Sequence, residues 1–411
     1  MIKKIKPVLL GNVLETYDFC LYGLLAPVFA KVFFPDNFQH SLTCAFLLFA
    51  IAYLSRPFGS ILWGHVGDKY GRKYALIGTL GIMAVSAVGM AIVPSYNQIG
   101  YWACCIILVL RFLQGLAFGG DYPATMVALY ELAPKNRKGV YCSLISSATC
   151  FGHLIAILCI LSVLIYGGKS FLHDNGWRIL FGISIIFIAL IGYIRKNLTE
   201  TLTDENKNKR PLLTTIIQWR GIFRIFFYLF TANVLFFSYV YHINAFFRNN
   251  QGLSDTNIFI VQAFMMVYLI ILIPIISYVG DLFGRVKFVK YALVILVILS
   301  IPIYILILSK YFFVGIVILG FFVSTMSGLS FSIIVEHAKK NCRMSMCGIS
   351  HGLGVIVFGA TTPMLNTIMI KFFNSEITPS FYLMFAAMTS LVALCLIERK
   401  NIVNNMQTKK V

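Results

Sequence analysis

Glu15 and Asp18 stand inside an otherwise apolar stretch near residues 8–33. On a helix they are three positions apart, and Tyr22 follows Asp18 by four, so the three share one face that Asn12 continues. At 1.5 Å per residue, Asp18 lies about 16 Å into that stretch, close to its middle. A carboxyl held away from water has two uses: it can exchange protons near neutral pH, or it can permanently neutralise a buried cation. Proton exchange is assigned to Asp18 first and Glu15 second, with pairing left open. Arg111 lies in another apolar stretch with Gln114 three positions on. Its planar fork can hold a solute carboxylate in two-point fashion, or neutralise Asp18 or Glu15. Arg111, Gln114, Tyr17 and Tyr22 therefore form a candidate solute site, with Asn233 and Gln262 as polar lining from later stretches. Arg56, before Pro57, is expected to pair with a carboxylate in the N-terminal half. His153, with Ser146 and Thr149 on its face, reads either as a core histidine with its hydrogen bonds satisfied, the reading preferred, or as a proton relay.

A second chemistry is carried by a repeat. Gly64-His-Val-Gly67-Asp68-Lys-Tyr-Gly71-Arg72 recurs as Ser277-Tyr-Val-Gly280-Asp281-Leu-Phe-Gly284-Arg285, with Asp68 and Asp281 213 positions apart. Glu131 and Glu336 are 205 apart, and basic loops with Arg137 and Arg343 follow them. Glycine permits the tight turn and a close helix approach. The aspartate can meet an arginine, or the exposed N-terminus of a helix across the bundle. A contact of that kind can form in one conformation and break in another, so Gly64, Gly67, Gly71, Asp68, Arg72, Asp281, Arg285, Glu131, Arg137, Glu336 and Arg343 are assigned to gating.

Composition identifies the elements that carry these groups. Of 411 residues, 59% are hydrophobic and 12% charged, where soluble domains carry about 25% charged residues. The chain reads as an all-α protein that crosses a membrane many times. Stretches of about 20 apolar residues fall near 8–33, 41–65, 74–94, 99–131, 139–166, 177–197, 221–247, 256–280, 288–309, 312–335, 346–372 and 378–398. Twelve helices follow, in two six-helix halves: 1–197 and 221–400, joined by a central loop 198–220 and followed by a tail 401–411. Repeats of this kind place a binding site between the halves and open it alternately to either side. The net charge of +19 fits the same reading. Twenty-six of the 34 cations, including Arg195, Lys196, Lys409 and Lys410, fall on the loops that share a side with the termini. Six (Lys31, Lys169, Arg178, Arg248, Lys310 and Lys371) fall on the other side, so both termini are expected in the cytoplasm. No compact basic domain suggests nucleic-acid binding. The ten cysteines contain no CxxC pair and read as small buried hydrophobes, with no metal or cofactor implied.

The first stretch reads Gly11-Asn12-Val-Leu-Glu15-Thr16-Tyr17-Asp18-Phe19-Cys-Leu-Tyr22-Gly23. With Arg56-Pro57-Phe-Gly59, Arg111-Phe-Leu-Gln114-Gly115, Gly119-Gly120-Asp121, Glu131-Leu-Ala133-Pro134 and Trp177-Arg178, it resembles the metabolite:proton symporter branch of the major facilitator superfamily. Thr16 stands where that pattern has tryptophan, and no long coiled coil follows Arg399, unlike the osmoregulated proline/betaine member. The resemblance implies the twelve-helix major facilitator fold and proton-coupled symport. Its members carry proline, betaine, citrate, 2-oxoglutarate or shikimate. The expected partners are a small solute, protons and the lipid bilayer, with the chain monomeric in a bacterial inner membrane. A membrane enzyme is disfavoured because no HExxH, nucleophile elbow or Walker loop is present. A sensor is disfavoured because no extramembrane domain is present.

Overall fold

The structure, a computed structural model, describes residues 2–35, 38–195, 200–202, 207–243, 246–247 and 254–408. Residues 203–206 of the central loop and the cations Lys196, Arg248, Lys409 and Lys410 lie outside the described residues.

Apolar sequence long enough to span a bilayer must satisfy its backbone internally, and helices do so. Every span among the described residues is helical. We label them α1 (Ile2–Leu24), α2 (Ser41–Lys69), α3 (Arg72–Ile92), α4 (Trp102–Leu132), α5 (Lys138–Phe171), α6 (Trp177–Arg195), α7 (Trp219–His242), α8 (Asp255–Phe283), α9 (Arg285–Leu308), α10 (Phe312–His337), α11 (Lys340–Phe373) and α12 (Thr378–Thr408). α1 bends by 61° into Ala26–Val32. α5 and α6 run on as one 61-residue stretch, Lys135–Arg195. Straight, it would measure about 90 Å, three times the hydrocarbon thickness. It turns back between the two at Gly168, whose φ is 75°, and through a π turn at Leu172–Gly176.

The ends differ from the expected bounds. α1 begins at Ile2 rather than near residue 8, α2 continues to Lys69 and α12 to Thr408. The apolar pattern stops where the hydrocarbon stops, whereas the backbone ladder continues into the polar boundary. Asp68 consequently lies in the last turn of α2, and Gly71 makes the corner into α3 at a φ of 131°. Gly284 does the same between α8 and α9 at a φ of 93°.

Two packing features position the site. Gly115 and Gly119 bring α4 against α2 backbone to backbone: a Cβ on Gly119 would stand 2.9 Å from the carbonyl carbon of Arg56. Across the middle of the molecule, α2 packs on α11 and α5 on α8. A Cβ on Gly64 would stand 2.9 Å from the Ser345 Cα, so the α2–α11 seam closes only over glycine.

Candidate functional site

The repeated motif builds two matching contacts at the ends of the helices. Asp68 accepts hydrogen bonds from the Met344 N–H (3.1 Å), the Ser345 N–H (2.9 Å) and the Ser345 hydroxyl (2.7 Å), which sit in the first turns of α11. Arg72 pairs with the same carboxylate at 2.9 Å, and both side chains are 1% exposed. In the second copy, Asp281 accepts from the N–H groups of Gly139 (2.9 Å) and Val140 (3.0 Å) at the start of α5. Each aspartate thus caps a helix from the other half, where exposed N–H groups and the helix dipole favour an anion. Arg285 joins the second copy more loosely, 3.6 Å from Asp281 and 2.7 Å from Glu336. Glu131 is bridged by Arg72 at 3.4 Å and by Arg343 of α11 at 3.6 Å. Arg137 lies over the Tyr278 ring at 6.0 Å. Gly67 gives room to the Met344 thioether. The basic ends of the two halves are drawn together, which closes that side of the molecule.

Inside the N-terminal half, the polar face of α1 divides into two clusters. Asp18 accepts from the Ser184 hydroxyl at 2.9 Å and from the Gln114 amide, and Gln114 in turn accepts from Arg111 at 2.5 Å. The Arg111 guanidinium lies over the Tyr22 ring at 4.3 Å, and Tyr17 donates to the Leu180 carbonyl at 2.8 Å. Nearer the N-terminal end of α1, Glu15 lies beside Asp121 and Arg195. Arg195 pairs with Asp121 at 2.7 Å and occupies space that a side chain on Gly11 would fill. Neither Glu15 oxygen has a hydrogen-bond partner. Both clusters are buried: Glu15 is 2% exposed, and Asp18 and Arg111 are 0% exposed.

The opposite face of α1 meets a cavity of about 100 Å³ between the halves, lined from α1, α2, α4, α5, α7, α10 and α11. Sites for drug-sized ligands run to roughly 300–1,000 Å³, so this one suits a small solute. The structure departs from the expected site here. Asn233 lines the cavity, but Arg111, Gln114, Tyr17, Tyr22 and Gln262 do not. Rotation of α1 and α4 turns the first four into the N-terminal half, while Gln262 donates to the Val240 carbonyl at 3.4 Å inside the other half. The cation in the wall is Arg56. Its expected pairing with a carboxylate is not found: among the described residues it makes no ion pair or hydrogen bond. Three rings hold it, Phe118 at 3.8 Å, Phe19 at 4.4 Å and Tyr53 at 4.4 Å. Among the lining residues there is no carboxylate and no other lysine or arginine. His153 also lines the cavity. Its Nδ1 meets the Cys20 thiol at 3.1 Å while Nε2 has no partner, so it is not the satisfied core histidine that its surroundings in sequence suggest.

Three groups escape a linear reading. Arg195, counted with the loop cations, is 1% exposed, and its pairing with Asp121 spans 74 positions. Tyr122 and His351 lie in apolar runs, and only their side-by-side position in the wall marks them. A signal for Arg195 does exist in Gly11, whose lack of a side chain leaves the guanidinium room.

The chain matches the Major Facilitator Superfamily over residues 13–356. It is 29% identical to the proline/betaine transporter of Escherichia coli (strain K12), a match covering 95% of this chain and 82% of that protein. It is 27% identical to the citrate-proton symporter of Klebsiella pneumoniae, over 96% of this chain and 91% of that one. Among solved structures, it superposes on the proton:xylose symporter XylE with a TM-score of 0.75 at 15% identity, covering 97% and 95% of the two chains. The family match over most of the chain, with the helical spans among the described residues and their duplicated corner, places this protein in the Major Facilitator Superfamily, an integral membrane family of transporters and not of enzymes.

Proposed function

We propose that this protein is a proton-coupled symporter of a small solute with one carboxylate, of the proline or betaine kind, working by alternating access. The observation that carries the reading is Arg56: a buried cation in the wall of the central cavity, held by rings, with no carboxylate among the residues that line the cavity and no ion pair among the described residues. A buried charge without a partner is costly, and a solute carboxylate would supply the partner. One wall cation matches one carboxylate better than the three of citrate. The aromatic walls suit a pyrrolidine ring or a methylated ammonium. The names of the Escherichia coli and Klebsiella pneumoniae relatives support the two solute classes, zwitterion and organic acid.

Glu15 and Asp18 remain the proton-coupling carboxyls in this reading, with Asp121 sharing the Glu15 cluster. Glu15 lies within Coulombic range of Arg56. A carboxylate arriving at Arg56 and a proton arriving at Glu15 bring opposite charges to neighbouring groups, and because the ammonium of proline or betaine enters too, solute and proton together carry one net positive charge. Arg111 and Gln114 orient Asp18 rather than the solute. The contacts of Asp68, Arg72, Glu131, Asp281, Arg285, Glu336 and Arg343 form a cytoplasmic latch of the outward-facing or closed state. The halves are residues 1–197 and 221–400, joined by 198–220 and followed by the tail 401–411. Both termini lie in the cytoplasm of a bacterial inner membrane, and the protein works as a monomer without cofactor or nucleic acid.

The test is uptake into proteoliposomes of proline, glycine betaine and citrate under an imposed proton gradient. Accumulation of proline or glycine betaine, abolished by a protonophore, is expected. Uptake that survives the protonophore and needs sodium refutes proton coupling. Uptake confined to citrate refutes the one-carboxylate reading.

A further inference from the structure

We infer that His351 is a second ligand for the solute's carboxylate, reaching from the C-terminal half to the group that Arg56 holds from the N-terminal half. The inference rests on the proposed carboxylate reading and extends it across the interface. His351 and Arg56 line the same cavity. Their helices touch at this level: a Cβ on Gly352 would stand 3.5 Å from the Cα of Pro57, and His351 and Arg56 are the residues just before these two contact points. The His351 ring is set by its neighbours. It stacks on Tyr122 at 4.7 Å with 9° between planes, and meets Phe331 edge-on at 5.7 Å. Stacking covers a ring face and leaves the edge, which carries both nitrogens, for polar contacts. Among the described residues neither nitrogen makes a hydrogen bond. Neutral imidazole donates one N–H, and beside Arg56 a neutral donor adds a bond without the repulsion of a second cation.

A carboxylate has two oxygens, so one group can be shared between the guanidinium of α2 and the imidazole of α11. The solute then bridges the seam that Gly64 and Asp68 close nearer the cytoplasm. The bound solute thereby adds a bond between the halves that the empty protein lacks, and favours the occluded form.

The experiment compares wild type, His351→Ala, His351→Gln and Arg56→Gln in proteoliposomes. Binding is read with proline and glycine betaine, and with prolinamide and choline as analogues without the carboxylate. Removing one hydrogen bond to a charged group is expected to weaken proline or betaine about tenfold or more. His351→Gln, which keeps an N–H donor, is expected to recover most of that loss, and the weak binding of the two analogues is expected to stay unchanged. Unaltered proline and betaine affinity in His351→Ala, or equal loss for carboxylate and analogue ligands, overturns the inference. If Arg56→Gln weakens binding and His351→Ala does not, the carboxylate reading stands and this inference alone fails. If wild type binds neither proline nor glycine betaine, both fail.

Discussion

Replacing Asp68 by asparagine tests the latch most directly. Asp68 holds three donors of α11 and the guanidinium of Arg72 on two oxygens, with its side chain 1% exposed. Asparagine keeps one acceptor oxygen and loses the charge. Its NH₂ group then faces the Ser345 N–H or the Met344 N–H, and a donor cannot satisfy a donor. Losing one charge-assisted bond removes about 1.5–3 kcal/mol. Because these bonds join the two halves, the loss falls on the closed state and not on the open one. The ratio of the two states should shift by about ten- to a hundredfold toward cytoplasmic opening. The assay is labelling of single cysteines by an impermeant maleimide, in a background without the ten native thiols. A cysteine at Ser60, which is 1% exposed between α2 and α11, reports the side that Asp68 closes, the cytoplasmic one in the proposed orientation. One at Phe237, in the cavity wall further along α7, reports the outer side. Ser60→Cys labelling should rise and Phe237→Cys labelling should fall. If transport drops while both rates stay as they were, the latch is wrong and Asp68 serves folding or insertion.

Asp281→Asn should move the two labelling rates in the same direction but less, because Asp281 caps α5 with two backbone bonds and no hydroxyl, and Arg285 stands at 3.6 Å; an equal or larger shift than Asp68→Asn contradicts this. Gly64→Val should also open the cytoplasmic side, since its Cβ would stand 2.9 Å from the Ser345 Cα, and unchanged Ser60→Cys labelling would refute the close seam. Glu15→Gln should abolish uphill accumulation while leaving solute exchange across the membrane, as measured by counterflow; persistent accumulation removes Glu15 from the coupling. Arg111→Lys loses the planar fork that meets Gln114 and lies over Tyr22. It should impair accumulation with solute affinity changed less than threefold, and a tenfold or larger loss of affinity would return Arg111 to the solute site.

Much of this protein is legible along the chain because its signals are local. A bilayer demands about 20 apolar residues per crossing, so the twelve helices announce themselves, and the repeated Asp68 and Asp281 corners announce the two halves. Pairs one helical turn apart are also legible: Arg111 does meet Gln114, and Glu15 and Asp18 do share one face of α1. What spacing along one helix leaves open is which neighbour that face meets. Arg56 and Arg111 look alike in sequence, each an arginine in an apolar run. Glycine contacts between α2 and α4 set the rotation of both helices, turning Arg56 to the cavity and Arg111 to Asp18. Arg195 reaches Asp121 only because α6 returns beside α4 and Gly11 leaves it space. His351 enters the same cavity wall as Arg56 only where α11 of one half packs on α2 of the other. Local composition determines that a helix crosses the membrane and which of its faces is polar. Close packing among distant helices determines which polar groups share a site, because each helix is rotated and placed by all the others at once.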